Sequence, residues 1–265
     1  MKGGGWGRRA LLLHSGFVYF FLYAPIAIIV IFSFSASRSP TAWSGFTLDW
    51  YRSFFHNAGM LQALQNSLVV GLCATALSTV IGTLVAFGLD RFDFPGRRFL
   101  DQILYLPIVI PDIVMALSLA LFYHFIHLPL GLFSIIIGHV AFDISFVAVV
   151  VRARLEGFDR RLEEAAQDLG ADGTQTFLRV TLPLLMPGVV AAALLAFTLS
   201  FEDFMIAFFT AGVGSTTLPI KVYSSIKFGV TPEINAISTC ILAFAVFSIL
   251  AAQRLMGKEQ VQSAK

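Results

Sequence analysis

Four carboxylates stand where carboxylates are expensive. Asp112, Asp143, Glu202 and Asp203 fall inside or at the edge of apolar runs. An ionised carboxylate at the centre of a membrane helix costs about 2.5–3.5 kcal/mol on insertion scales. No Lys or Arg lies within the same runs to neutralise them. The chemistry that suits such groups is the handling of a cation, because spaced carboxylates along a pore can replace the water shell of ammonium groups. Asp112, Glu202 and Asp203 are the candidates to line such a path. Asp112 follows Pro111, so it either presents a carboxylate at a broken helix or only caps the new helix. Asp143 reads more simply as a buried or protonated structural group. Phe201, Phe204, Phe122, Tyr123 and Tyr223 offer cation–π faces nearby, although in a chain with 27 Phe most rings belong to core or lipid.

The second region of interest is the longest polar segment, Arg152 to Pro183. Phe158, Leu162, Ala165, Ala166 and Leu169 fall at helical spacing and form one apolar stripe. Asp159 can cap the start of that helix, and Arg160 and Glu164 are placed as i,i+4 partners on its other face. Gly170 is placed to end it in a left-handed conformation. A second short helix can begin near Asp172 or Thr174 and end before Pro183. The expected product is a helix–Gly–helix hairpin with small alanines where another surface can approach.

Other chemistry is missing. No Gly-x-x-x-x-Gly-Lys-Ser/Thr phosphate loop occurs, so any ATP and Mg must be bound by a different chain. His124 and His127 are three apart and His139 follows one helix later, without a His-Glu-x-x-His zinc motif. They read as hydrogen-bonded structural groups. Cys73 and Cys240 lie in apolar runs and read as small hydrophobes. A net charge of +2 and the lack of a basic stripe argue against nucleic acid as a partner.

The elements that must position these groups follow from composition. Of the 265 residues 57% are hydrophobic and 13% charged, against about 45–50% and 25% in soluble proteins. A membrane-spanning helix needs about 20 mostly apolar residues, and six windows qualify: Phe17–Phe34, Ser67–Leu89, Phe99–Phe122, Phe133–Val151, Gly188–Phe208 and Ile237–Leu255. Pro107 and Pro111 interrupt the third. The apolar stretch from Leu11 to Phe34 is too long for a signal peptide core of ~7–15 residues, so it reads as a retained first helix. With the N-terminus inside, fourteen of the 18 Lys and Arg fall in inner loops, leaving Arg38, Arg52, Lys221 and Lys227 outside. That bias places both termini in the cytoplasm. The outer stretch Trp43–Met60 holds Trp43, Phe46, Trp50, Tyr51, Phe54 and Phe55, either as an interface anchor or as a docking surface. The expected organisation is a cytoplasmic N-terminus (1–16), an all-α membrane domain of six helices (17–256) with an inner loop at 153–183, and a short cytoplasmic tail (257–265).

The loop carries a resemblance. Glu164-Ala165-Ala166, three residues, Gly170, nine residues and then Val180-Thr181-Leu182-Pro183 are similar to the "EAA" loop of binding-protein-dependent ABC importer permeases. Beyond the loop, Pro111–Ala116, Ser200–Asp203, Leu218–Ser224 and Gly229–Ala236 resemble the PotC-type permeases of spermidine/putrescine importers, with Glu202 where that family often has Asp. The resemblance covers nearly the whole chain. It implies the MetI-like type I importer fold and residence in the bacterial inner membrane. It implies no enzymatic activity of this subunit. It also implies four kinds of neighbour besides lipid: a second homologous permease, two ATP-binding cassette ATPase subunits and a periplasmic substrate-binding protein. In such permeases the hairpin seats in the ATPase, which assigns coupling to Glu164, Ala165, Ala166, Asp168, Gly170, Leu182 and Pro183, and passage of a polyamine to Asp112, Phe201, Glu202, Asp203 and Tyr223.

Two alternatives stay open. One is an importer permease for another small solute, such as an amino-acid derivative or aminophosphonate. The other is an ATP-independent secondary transporter, which predicts inverted repeats and broken helices in matching halves.

Overall fold

The computed structural model describes residues 5–39, 42–227 and 232–246. Among them the only β-pairing is an isolated bridge between Ser35 and Phe46, and the rest of the regular structure is helical. The chain divides into two compact units, one formed by residues up to Leu61 together with those from Val222, the other by Gln62–Lys221.

The first unit begins with α1 (Gly5–Phe32), long and apolar enough to span a bilayer. It starts twelve residues before the first apolar window, and its apolar face is exposed along its length, as a lipid-facing helix requires. The aromatic stretch after it is ordered by hydrogen bonds. Thr47 N–H donates to Phe34 O at 2.8 Å, and Trp50 Nε1 donates to Ser35 O at 2.7 Å. Phe34 stacks on Phe46 with centroids 5.4 Å apart and tilts against Tyr51 at 5.3 Å. α2 (Asp49–His56) follows, and Ser53 and Asn57 both donate to Glu233 Oε1 at 3.3 Å. Glu233 belongs to the short apolar helix Pro232–Val246, into which the sixth window runs. The remainder of that window, the tail 257–265 and residues 229–231 of the Gly229–Ala236 motif lie outside the described residues.

The second unit holds the rest of the bundle. α3 (Ala58–Arg91) extends the second window at both ends. The third window is not one straight span: α4 (Arg97–Val109) and α5 (Asp112–Phe125) meet at 112°. Pro107 sits inside α4 without breaking it. The break is at Pro111, which forces Ile110 into extended conformation (φ −68°, ψ 133°). α6 (Leu132–Leu155) matches the fourth window.

The fifth window needs correction. Its helix starts far earlier and stops at Glu202. A short α7 (Arg161–Asp168) and α8 (Gly173–Thr176) lead through a π-helical turn, Phe177–Thr181, straight into α9 (Leu182–Glu202). Pro183 therefore does not end a helix. It sits at the start of α9, directly after the π-helical turn, inside one continuous helical run from Gly173 to Glu202. Asp203 is extended (ψ 128°), and α10 (Met205–Thr210) resumes two residues later.

The core of this unit is built where α6 and α9 run together. Val147, Ala148, Val151 and Leu155 pack on Leu185, Val189, Ala192 and Ala196, with Ala86 and Leu89 of α3 and Leu104 of α4. Small residues allow the helices to close. A Cβ on Gly82 would come within 2.7 Å of the Val147 side chain, the close approach that drives helix association where lipid supplies no hydrophobic gain. The loop after α10 is tied to the start of α3: Asn66 Nδ2 donates to the carbonyls of Gly214 (3.0 Å) and Thr216 (2.9 Å), and the Ser67 hydroxyl accepts from Leu218 N–H at 2.8 Å.

Candidate functional site

Two constellations stand out in the second unit. The first is the hairpin. Asp159 Oδ1 accepts from Arg161 N–H at 3.1 Å, which fixes the start of α7. The Arg161 guanidinium also donates to this carboxylate and holds its pKa below the ordinary Asp value. At the other end Gly170 takes φ +90°. Its N–H donates to Gln167 O, and Ala171 N–H to Ala166 O. This is the paired closure of a left-handed helix end. Asp172 caps α8 by accepting from Gln175 N–H at 2.7 Å.

The anchor of the hairpin is Glu163, which the sequence reading passed over in favour of its neighbour. Arg91, at the end of α3, reaches Glu163 with Nε–Oε2 at 3.0 Å, and the Thr181 hydroxyl donates to Oε1 at 2.6 Å. Arg91 also pairs with Asp90 and lies over the rings of Phe87 (5.8 Å) and Phe158 (5.5 Å). One carboxylate thus ties α7 to the end of α3 and to the start of α9. Arg160 does not pair with Glu164 as expected. It reaches back to Asp90, the acid at the end of α3, at 3.2 Å.

The apolar stripe splits in two. Phe158 packs inward on the core. Leu162 and Ala165 are exposed and Leu169 is 90% exposed, while Glu164, Asp168 and Gly170 are exposed beside them. α7 buries no residue of its own. An isolated domain gains nothing by leaving such a face in water. Leu182 and Pro183 stand apart from it, in the first turn of α9, with Leu182 packed against the core.

The second constellation surrounds the break after α9. The Asp203 carboxylate accepts from Ala207 N–H at 3.0 Å, so it caps α10. Its Oδ1 lies 3.3 Å from Nε2 of His139 on α6. The other ring nitrogen, Nδ1, hydrogen-bonds the Ser200 hydroxyl at 2.6 Å. Asp143, one turn along α6 from His139, is 0% exposed, and neither of its oxygens has a hydrogen-bond partner among the described residues. Glu202 is exposed, and Phe201 stacks on Phe197 at 5.6 Å. Asp112 is exposed in the first turn of α5, beside its own break. The two breaks are linked through packing, since α10 lies against α5. Tyr223 belongs to the other unit.

His139 was readable only as a structural histidine. The usable signal was present: His139 and Asp143 share a helix face at i,i+4, in a span without any Lys or Arg.

Residues 78–258 match the family described as the binding-protein-dependent transport system inner membrane component. The chain belongs to that permease family. Among its relatives is the spermidine/putrescine transport system permease protein PotC of Escherichia coli strain K12, 40% identical over 245 residues, which are 91% of this chain and 93% of the relative. The putrescine transport system permease protein PotI of the same strain is 40% identical over 261 residues, covering 96% and 92%. The fold has the same standing. A bacterial ABC transporter that imports the acidic polysaccharide alginate superposes with TM-score 0.73 at 19% identity, over 96% of each chain. The inward-facing MetNI methionine transporter superposes with TM-score 0.62, covering 80% of this permease and 99% of that chain. The permease therefore has the MetI-like ABC importer fold and is a multi-pass inner-membrane protein.

Proposed function

We propose that this permease is one half of the membrane channel of a polyamine importer, driven by ATPase subunits that bind its hairpin. Spermidine and putrescine stand in the names of relatives that are 40% identical over nine-tenths of the chain. The carboxylates suit such a cargo: Asp112, Glu202 and Asp203 sit at helix breaks, with Phe201 and Tyr223 as further candidates for the path. Among the described residues, Asp203 has one histidine as a potential counter-charge. A solute with two or three ammonium groups supplies the missing charge.

The observation that carries the coupling reading is the exposed face of Leu162, Ala165 and Leu169 on a hairpin braced at both ends. A braced element with an open apolar face can transmit a rigid-body motion from a partner. Glu164, Ala165, Ala166, Asp168 and Gly170 belong to the contact, and Leu182 and Pro183 carry the motion into α9. The bias of Lys and Arg puts the hairpin and both termini in the cytoplasm. ATP and Mg belong to the two ATPase subunits. A second permease completes the channel, and a periplasmic binding protein delivers cargo.

The test is ATP-dependent uptake of spermidine and putrescine in proteoliposomes holding the full complex. Deleting residues 159–173 is expected to abolish both uptake and co-purification of the ATPase while the helices still insert. Retention of ATPase binding after that deletion contradicts the reading.

A further inference from the structure

We propose that His139 is a positioning residue whose imidazolium serves as the resident counter-ion of Asp203, and that cationic cargo displaces its proton. This rests on the reading that Asp203 lines the polyamine path.

The argument starts from the cluster's composition. His139 is 2% exposed and Asp143 is 0% exposed. The imidazole Nε2 lies 3.3 Å from Asp203, and Asp143 sits one turn away on the same helix with no hydrogen-bond partner among the described residues. The Ser200 hydroxyl on Nδ1, at 2.6 Å, fixes the ring orientation.

Every element packed here can be checked for a competing charge. α9 brings Ser200 and, facing outward, Glu202. α10 carries no ionisable group. α5 brings the buried Tyr123 hydroxyl, which has no hydrogen-bond partner among the described residues and approaches the Gly138 position. α3 carries no charge between Gln62 and Leu89. α4 meets α6 through the Arg152–Asp101 ion pair, about 20 Å further along the helix at 1.5 Å per residue.

An unpaired charge in a medium of low dielectric is costly, so the cluster favours an arrangement that sums to zero. One proton on Asp143 and one on His139 achieve this, with Asp203 ionised. An arriving ammonium group supplies the positive charge that Asp203 needs. Keeping the imidazolium would then leave an excess charge. The pair Asp203⁻/His139-H⁺ plus an ammonium group becomes an Asp203⁻/ammonium pair, a neutral His139 and one released proton. Charge and protons balance without any other reactant. Low pH therefore strengthens the resident ion and weakens capture of cargo.

The experiment measures spermidine uptake by the complete complex in proteoliposomes, with KM and kcat taken separately. In the native complex the KM is expected to fall about fivefold between about pH 6 and about pH 7.5, with kcat changing less than about twofold. His139→Gln is expected to flatten the KM profile to less than about twofold over the same range. A native profile without slope, or a slope that survives in His139→Gln, overturns the proposal. Asp143→Asn replaces the protonated acid by a neutral side chain of the same shape and is expected to leave the midpoint of the KM profile in place. A midpoint moved by more than about half a pH unit overturns the cluster assignment, and His139→Asn repeats the decisive arm if His139→Gln does not assemble. Asp203→Asn separates the two layers. Native uptake in that variant removes the path reading itself. Lost uptake, combined with a native slope in His139→Gln, removes only the proton linkage.

Discussion

The hairpin and the helix break place the same kinds of side chain in opposite surroundings. In the hairpin, carboxylates meet arginines. Asp159 pairs with Arg161, Glu163 with Arg91, and Asp90 with both Arg91 and Arg160. Their role is geometric, because a charge matched by a guanidinium is neutralised in place and its hydrogen bonds fix direction. At the break, Asp203 meets one histidine, Asp143 has no hydrogen-bond partner, and neither meets an arginine among the described residues. There the charge itself is the expensive quantity, and a position that keeps it invites a cation. The difference teaches where substitutions should act. Hairpin changes should alter shape and partner binding, while changes at the break should alter cargo handling.

The largest test of that contrast is Asp203→Asn. It keeps the shape and the acceptor for Ala207 N–H but removes the charge. Uptake of spermidine is expected to fall at least about tenfold at unchanged expression, the loss of roughly one charge-assisted contact. Uptake within a factor of about two of native would place Asp203 outside the path and collapse the contrast.

Next is Glu163→Ala. It strips Arg91 and Thr181 of their shared acceptor in a pocket where both charged side chains are about one-tenth exposed. The expected cost is about 2–3 kcal/mol, read as a lower Tm of the detergent-solubilised chain. Glu164→Ala should leave that Tm nearly unchanged, since its side chain is exposed. It should instead weaken ATPase co-purification. Equal Tm losses for the two variants would show that the hairpin is not braced through Glu163.

A smaller effect is expected from Gly170→Ala. At φ +90° a Cβ is strained, costing about 1–2 kcal/mol, although the space around the position is open. Loss of coupled ATPase activity should exceed loss of Tm if the turn aims α7 at a partner.

The smallest is the pH response of the hairpin start. Burial is nil at Asp159, and the Arg161 side chain holds its pKa below the usual value. A carboxyl with a depressed folded pKa stabilises above its unfolded value of about 3.9 and loses that contribution as pH falls through the folded value. Asp159→Asn should therefore cost its small contribution at neutral pH and converge with the native chain at acid pH, which flattens the acid limb of hairpin hydrogen exchange below about pH 4.

Much of the hairpin was legible. The Gly170 turn and the Asp159 contact at the start of α7 follow from local rules that operate within a few residues, whereas the stripe splits between core and surface. What local rules cannot supply is a partner far along the chain. Glu163 and Glu164 are adjacent acids, and only the return of α3 decides which of them meets Arg91. The same holds at the break. Asp203 was legible as a costly charge, but its histidine lies on a different helix, 64 positions earlier in sequence. Span boundaries failed where backbone and hydropathy disagree. Pro111 bends an apolar window by 112°, and Pro183, a nominal breaker, opens a helix instead. Of the sixth window, Ile237–Leu255, the described residues reach only Val246.

The central claim is that the exposed face of α7 is a cytoplasmic seat for an ATPase. It is most directly tested by thiol labelling of Leu169→Cys, with Cys73 and Cys240 replaced by serine. The account predicts labelling from the cytoplasmic side in the permease alone and protection once the ATPase subunits are bound. Labelling from the periplasmic side, or labelling that the ATPase leaves unchanged, would contradict it.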